Sequence, residues 1–227
     1  MMRLVRLASV LSAVAAAVLF APAAPASAAE CSSFTTTTTG GYRVNLTCGS
    51  RYIAGVGTTQ AEADQRARSL LATATTTGRV CTTQANSARA GGYLVMLSCD
   101  TVGSVIGVGT TLTDAALFAH ALATDGMATG RICGVQTSNP TTGGYIVMIG
   151  CGSIGYLNAV GTTLTDAANE SRVLAINGMG LGRVCTTQAN TAVAGGYRVM
   201  LNCGTDYPMA DGPTLSEAAR NARDAAF

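Results

Sequence analysis

Eight cysteines divide the chain into four similar units, and their spacing limits the possible folds more than any other feature of the sequence. The cysteines of successive pairs are 17, 18, 18 and 18 residues apart, and the pairs begin 50, 52 and 52 residues apart. Between the two cysteines of each pair stands Gly-Gly-Tyr, beginning at residues 40, 91, 143 and 195. A fixed period of this length predicts a tandem-repeat protein, in which neighbouring units stack to complete a core.

An N-terminal segment with the features of an export signal precedes the repeats. Arg3 and Arg6, an apolar stretch and the small residues of Ala26-Ser27-Ala28 follow one another in the order of a signal peptide. The apolar stretch is too short for a membrane span, so we expect a secreted, extracellular chain without one. The composition, rich in alanine, glycine and threonine and without lysine, indicates a bacterial source. The predicted segments are the signal peptide at 1–29 and the repeats at 30–79, 80–131, 132–183 and a truncated 184–227.

Each unit has the pattern of a hairpin, a short third strand and a helix. In the second strand, apolar residues alternate, as in Tyr93, Val95 and Leu97, so they share one face. Each helix begins at a threonine followed three residues later by an acid, which is the spacing of a capping box. We predict helix C-caps at Gly126 and Gly178. The predicted fold is α+β: four tandem ββ(β)α repeats of about 52 residues, each an antiparallel hairpin or sheet covered by one Ala-rich helix.

An even number of cysteines in an exported chain favours disulfides over metal or thiol chemistry. In a hairpin closed around the Gly-Gly turn the two cysteines of a unit face each other, residue 83 pairs with 97, and 85 pairs with 95. Disulfides between units are the alternative, and the spacing does not match a zinc site. The predicted bonds are Cys31–Cys48, Cys81–Cys99, Cys133–Cys151 and Cys185–Cys203.

The second face of the second strand differs between inner and outer units. Units 2 and 3 have apolar residues there, such as Leu94 and Ile146, whereas units 1 and 4 have Arg43 and Arg198. This pattern favours a stack with solvated ends over independent units or a closed ring. The Gly-Gly-Tyr tyrosines have the parity of core residues, which favours packing over a row of sugar-binding rings.

Few residues have the chemistry of an active site. His120 is the only histidine, so a Ser-His-Asp arrangement would need it, but arginines stand at the equivalent positions and a surface or boundary role is expected. The glycine-rich turns before the helices, such as Gly55-Val56-Gly57, lack a P-loop lysine and are expected to be structural. We therefore predict no enzymatic activity, no cofactor and no metal.

The segment from Tyr42 to Leu71, with its Gly-x-Gly-x-Thr before an Ala-rich helix, resembles the second half of a double-stranded RNA-binding domain. The resemblance implies ββα geometry. That family binds phosphates with a lysine-rich helix start, where this chain has Thr59-Gln60-Ala61-Glu62. Of the 14 basic residues two lie in the signal peptide, which leaves 12 against 12 acidic residues. This balance disfavours nucleic acids and anionic membranes as partners.

Two functions remain as hypotheses. The first is a secreted, non-enzymatic binding or interaction protein that displays the repeat surface to an unknown extracellular protein or cell-surface ligand. The second is a secreted inhibitor of a protease or other enzyme that acts through disulfide-closed hairpin tips. For a trypsin-like protease the candidate residue is Arg89, in the predicted tip 86–91.

Overall fold

Each unit folds into a three-stranded antiparallel sheet followed by one helix, which confirms the predicted α+β repeat. The computed structural model describes residues 31–100 and 102–227, so the predicted signal peptide lies outside the described residues. The strands are β1 (Ser32–Thr38), β2 (Gly41–Cys48) and β3 (Arg51–Gly57); β4 (Cys81–Arg89), β5 (Gly92–Cys99) and β6 (Gly103–Gly109); β7 (Gly134–Thr141), β8 (Gly144–Gly150) and β9 (Tyr156–Gly161); and β10 (Thr186–Val193), β11 (Gly196–Asn202) and β12 (Met209–Gly212). The helices are α1 (Gln60–Thr77), α2 (Leu112–Thr129), α3 (Leu164–Leu181) and α4 (Leu215–Ala226).

The helices begin where the capping boxes predict, but α2 and α3 end one turn later than predicted. In α2 the Thr111 hydroxyl accepts from the Asp114 amide, and the Asp114 carboxylate accepts from the Thr111 amide. The predicted C-caps Gly126 and Gly178 are wrong, because both lie inside helices and the caps are Gly130 and Gly182. The caps have the positive φ that glycine tolerates, whereas Gly126 lies within α2.

All four predicted disulfides are present within their units, with Cα–Cα distances of 4.1 to 4.4 Å. The predicted strand register is right from Cys81 to Thr83, which pairs with Leu97, and wrong beyond it. A β-bulge at Gln84 shifts the pairing, so Ala85 lies opposite Met96. Units 3 and 4 have the same shift, and unit 1, whose cysteines are 17 residues apart, pairs without it. The extra residue in the 18-residue spacing is therefore the bulge.

The units stack in chain order, and helices α2, α3 and α4 are each inserted between two sheets. Strands β3, β6 and β9 contact the helix of their own unit and, on the other side, the helix of the next unit. Residues 53–57 of β3 are buried for this reason, whereas no residue of β12 is. The first residue of each later helix is a fully buried leucine at this junction. One buried cluster, which includes Leu112, Leu164 and Leu215, runs through the junctions.

The tyrosines of Gly-Gly-Tyr contribute to stacking as well as to the core. Each ring of units 2 to 4 packs against the core, and the rings lie close to the turn glycines Gly40, Gly91 and Gly143 of the preceding unit. A β-carbon on Gly91 would lie 2.3 Å from the Tyr145 ring, so glycine is required there. Tyr42 has no preceding unit among the described residues and is 37% exposed.

The stack has two polar ends, and the sequence indicates the residues of only one of them, the end at unit 4. Because the second face of each sheet carries the next unit, the exposed ends are helix α1 and the sheet of unit 4. At the first end, Gln60 replaces the buried leucine of the other helices. At the other end, Arg198 and Asp211 form an exposed ion pair across β11 and β12 with N–O distances of 2.6 and 2.7 Å. Arg43, predicted to be solvated, lies at the junction with unit 2.

Candidate functional site

Arg89, the candidate interaction residue, lies at the end of a strand. It is the last residue of β4 and pairs with Gly92, so the turn consists only of Ala90 and Gly91. The predicted six-residue tip 86–91 is therefore wrong, because the hairpin pairs almost to its end. The Arg89 side chain is exposed, and its Nη1 lies 3.5 Å from the Ser138 hydroxyl of unit 3.

His120 lies at the junction between α1 and α2, as a boundary residue. Its Nδ1 is 3.1 Å from Arg66 Nη1, and its Nε2 is 3.2 Å from the Thr73 hydroxyl. A guanidinium can only donate, so Nδ1 must be unprotonated and Nε2 carries the proton. Burial, and secondarily the Arg66 charge, lower the pKa of His120 to about 4. The ring is therefore a neutral contact between units, and none of the acidic residues that the structure describes forms a hydrogen bond with it.

The same helical position carries a polar contact at every junction. In α3, Arg172 forms two hydrogen bonds of 2.6 and 3.0 Å to Asp125 of α2. In α4, Arg223 donates to Glu170 of α3 at 2.8 Å. Sequence reasoning compared these residues with His120 but missed their shared orientation towards the preceding helix. Their role is structural, because each of them joins its helix to the preceding one.

The helix N-termini are occupied by the chain itself. The amides of Thr58, Thr110 and Thr162 each donate at 2.8 Å to a hydroxyl of the next helix. The carboxylate of the capping acid accepts from the N-cap amide, as Glu62 does from the Thr59 amide at 2.8 Å. The glycine-rich turns are therefore structural, as expected, and their helix ends are already neutralised.

The arginine at the junction of units 1 and 2 completes a polar cluster. Arg43 donates at 2.7 Å to the Thr83 carbonyl, and also to Gln84, at the bulge of β4. Its Nε donates at 3.1 Å to the side chain of Asn45, which is buried. The Arg43 guanidinium therefore supplies hydrogen-bond donors to the backbone carbonyls of Thr83 and Gln84 at the bulge.

A second set of tyrosines, which sequence reasoning missed, is exposed along one edge of the stack. Tyr52, Tyr156 and Tyr207 are 48%, 67% and 53% exposed and occupy equivalent positions at the third strand in units 1, 3 and 4. Unit 2 has Ser104 there. Because the units repeat the same stacking contacts, equivalent residues lie along one edge, which we call the tyrosine edge. It adjoins the disulfide end of each sheet, since Cys48 pairs with Arg51.

The described residues contain no group of three or more His, Cys, Asp or Glu side chains arranged to hold a metal ion. Within 31–100 and 102–227, no helix has both the length and the apolar character needed to cross a membrane. No protein-family model matches the chain, and no similar curated protein is found. The resemblance to a double-stranded RNA-binding domain therefore gives no family assignment.

Proposed function

We propose that the chain is a secreted, non-enzymatic binding protein whose ligand-contact surface is the tyrosine edge. The observation that carries the proposal is the exposure of Tyr52, Tyr156 and Tyr207 at equivalent positions of three units. Tyrosine is enriched at binding surfaces because a rigid ring supplies apolar area and its hydroxyl supplies a hydrogen bond. The four disulfides fit an oxidising, extracellular compartment.

The edge is rigid, which favours binding. The Tyr52 hydroxyl donates at 2.5 Å to Asn45, a buried side chain that Arg43 also contacts. Tyr52 and Tyr156 lie in strands close to a disulfide, so the sheet and the covalent bond both hold their backbones, whereas Tyr207 precedes β12. Side chains ordered in advance lose little conformational entropy when a ligand binds. The expected ligand is an extracellular protein or a cell-surface polymer that spans several units.

The experiment compares the mature chain with the triple variant Tyr52→Ser, Tyr156→Ser and Tyr207→Ser, which copies the serine of unit 2. The immobilised protein is incubated with the secreted proteins and with the purified cell wall of the source organism. We expect retention of one ligand by the wild type and at least a tenfold loss of affinity in the triple variant.

The matched control replaces the exposed helix residues Leu117 and Ile176 by serine, which removes apolar area away from the tyrosine edge. The control should retain the ligand at wild-type affinity. Equal retention by wild type and triple variant would contradict the role of the edge. Retention of nothing by the wild type would contradict the binding function.

The inhibitor hypothesis is the second candidate, and one observation supports it. Arg89 is exposed and extended at the end of a hairpin that Cys81 and Cys99 close. Proteases bind extended backbones, so such an arginine could occupy the specificity pocket of a trypsin-like enzyme. Trypsin inhibition that is lost in Arg89→Ala would support this candidate, and no inhibition by the wild type would exclude it for trypsin.

A further inference from the structure

A cleft of about 290 Å³ lies between α3 and α4 and contains a carboxylate, that of Glu170, which the junction contact satisfies only in part. Its polar lining includes Asp166, Asn169, Glu170, Arg220 and Arg223. The other two helix junctions have different residues at the position of Glu170, since Arg66 contacts His120 at the first and Phe118 is buried at the second. The cleft is therefore a local feature of the last junction.

Glu170 is the central group, because only half of its carboxylate is satisfied. Its side chain is 9% exposed, and its Oε2 accepts from Arg223 Nη1 at 2.8 Å. Its Oε1 is buried and has no hydrogen-bond partner among the residues that the structure describes. Burial raises the pKa of Glu170 against the opposing effect of Arg223. A buried carboxylate oxygen without a donor is costly, so a cationic donor placed there would be stabilised.

The second group is Arg220, at the mouth of the cleft. Its Nε lies 3.4 Å from the Ser216 carbonyl, and its two Nη groups have no hydrogen-bond partner within the described part of the chain. In Arg223, by contrast, all three guanidinium nitrogens donate hydrogen bonds. Its Nη1 binds Glu170, and its Nη2 and Nε bind Asp224 at 2.9 and 3.0 Å. Arg220 is therefore the donor that remains to hold an anion.

We propose that this cleft binds a small zwitterion, such as a free α-amino acid, whose carboxylate accepts from Arg220 and whose ammonium group donates to Glu170, with the Glu170 carboxylate turning Oε1 towards the cleft. The two acids and two arginines of the lining balance in charge, which suits a ligand without net charge. Val160 and Val173 complete the lining with apolar surface for an aliphatic side chain. The cleft volume of about 290 Å³ accommodates an amino acid with an aliphatic side chain. The site is separate from the tyrosine edge, and its test is independent of the proposed function.

The test is a titration of the ¹⁵N-labelled mature chain with L-leucine, followed by the backbone amide shifts. Leucine should shift the amides of α3 and α4 around the cleft with saturable binding. Two probes carry half of the zwitterion each: 4-methylpentanoate lacks the amine, and isopentylamine lacks the carboxylate. Each should bind at least tenfold more weakly than leucine.

The variants Glu170→Gln and Arg220→Ala should each weaken leucine binding at least tenfold, whereas Arg68→Ala, an exposed arginine of α1, should not change it. Arg220 is exposed, so its variant keeps the test valid if Glu170→Gln alters packing. Absence of saturable shifts, shifts outside the cleft, or equal binding of either half-probe would overturn the proposal.

Discussion

Acidification should weaken the junction between units 1 and 2, because His120 is neutral there and faces a cation. Arg66 donates to its Nδ1, so a proton can be added only where that hydrogen bond now lies. The added charge would stand beside the Arg66 guanidinium in a half-buried site. The Thr73 hydroxyl accepts from Nε2 and itself donates to the Ser69 carbonyl at 3.1 Å. Within residues 31–100 and 102–227, no carboxylate forms a hydrogen bond with the ring that would offset the new charge.

The magnitude follows from the two pKa values. The pKa of His120 is about 4 in the folded chain against an ordinary value of 6.5. Between these values the unfolded chain binds more protons than the folded one, so the free energy of unfolding falls as the pH falls. The difference between the two pKa values corresponds to about 3 kcal/mol of the free energy of unfolding. This contribution is lost progressively from about pH 6.5 down to pH 4, and the loss is constant below pH 4. Partial exposure makes this figure an upper limit.

The assay is urea unfolding of the mature chain at pH 7, 5.5 and 4, compared with the variant His120→Gln. Glutamine can accept from Arg66 and donate to Thr73 without titrating, so it copies the neutral ring. The wild type should lose up to about 3 kcal/mol more than the variant between pH 7 and 4. The difference between the two proteins cancels the titration of carboxylates that they share. Equal pH dependence in both proteins would refute the assignment of a neutral, buried His120.

Two further perturbations test the stacking and the covalent frame. Gly91→Ala should cost more stability than Gly195→Ala, because both glycines have a positive φ but only Gly91 lies under a tyrosine, Tyr145. Backbone strain alone costs about 1–2 kcal/mol, so equal losses in urea unfolding would contradict the stacking contact. Replacing both Cys133 and Cys151 by alanine should cost about 3 kcal/mol in the same measurement. A loss below about 1 kcal/mol would show that the disulfide does not constrain the unfolded chain as the loop-closure argument requires.

The repeat itself, the disulfide pairing and the helix starts could be predicted because each is a local or periodic property of the sequence. A capping box is complete within four residues, so Thr111 and Asp114 identify the start of α2 alone. The helix ends could not be chosen in the same way. Gly126 and Gly130 are both compatible with a C-cap by residue type, and the structure places the positive φ of the cap at Gly130.

The candidate surfaces depended on position in the stack and were mostly missed. Two sets of tyrosines recur with the same period, and sequence reasoning selected the set in the second strand. That set packs against the core, whereas Tyr52 and its equivalents are exposed. Glu170 reads as an ordinary helix acid in the sequence, and its burial follows from α4 packing against α3. Exposure of a periodic residue depends on its neighbours in space, which the period does not specify.

By itself the sequence determined the number of units, their ββ(β)α order and the bonds between their cysteines, because spacing, alternation and capping act within one unit. The tertiary structure alone decided which faces meet. Arg43 and Arg198 occupy equivalent positions, yet the first is a junction contact and the second is at an exposed end. The physical reason is that the next unit packs on the second face of each sheet, so the direction of stacking determines which charge reaches water.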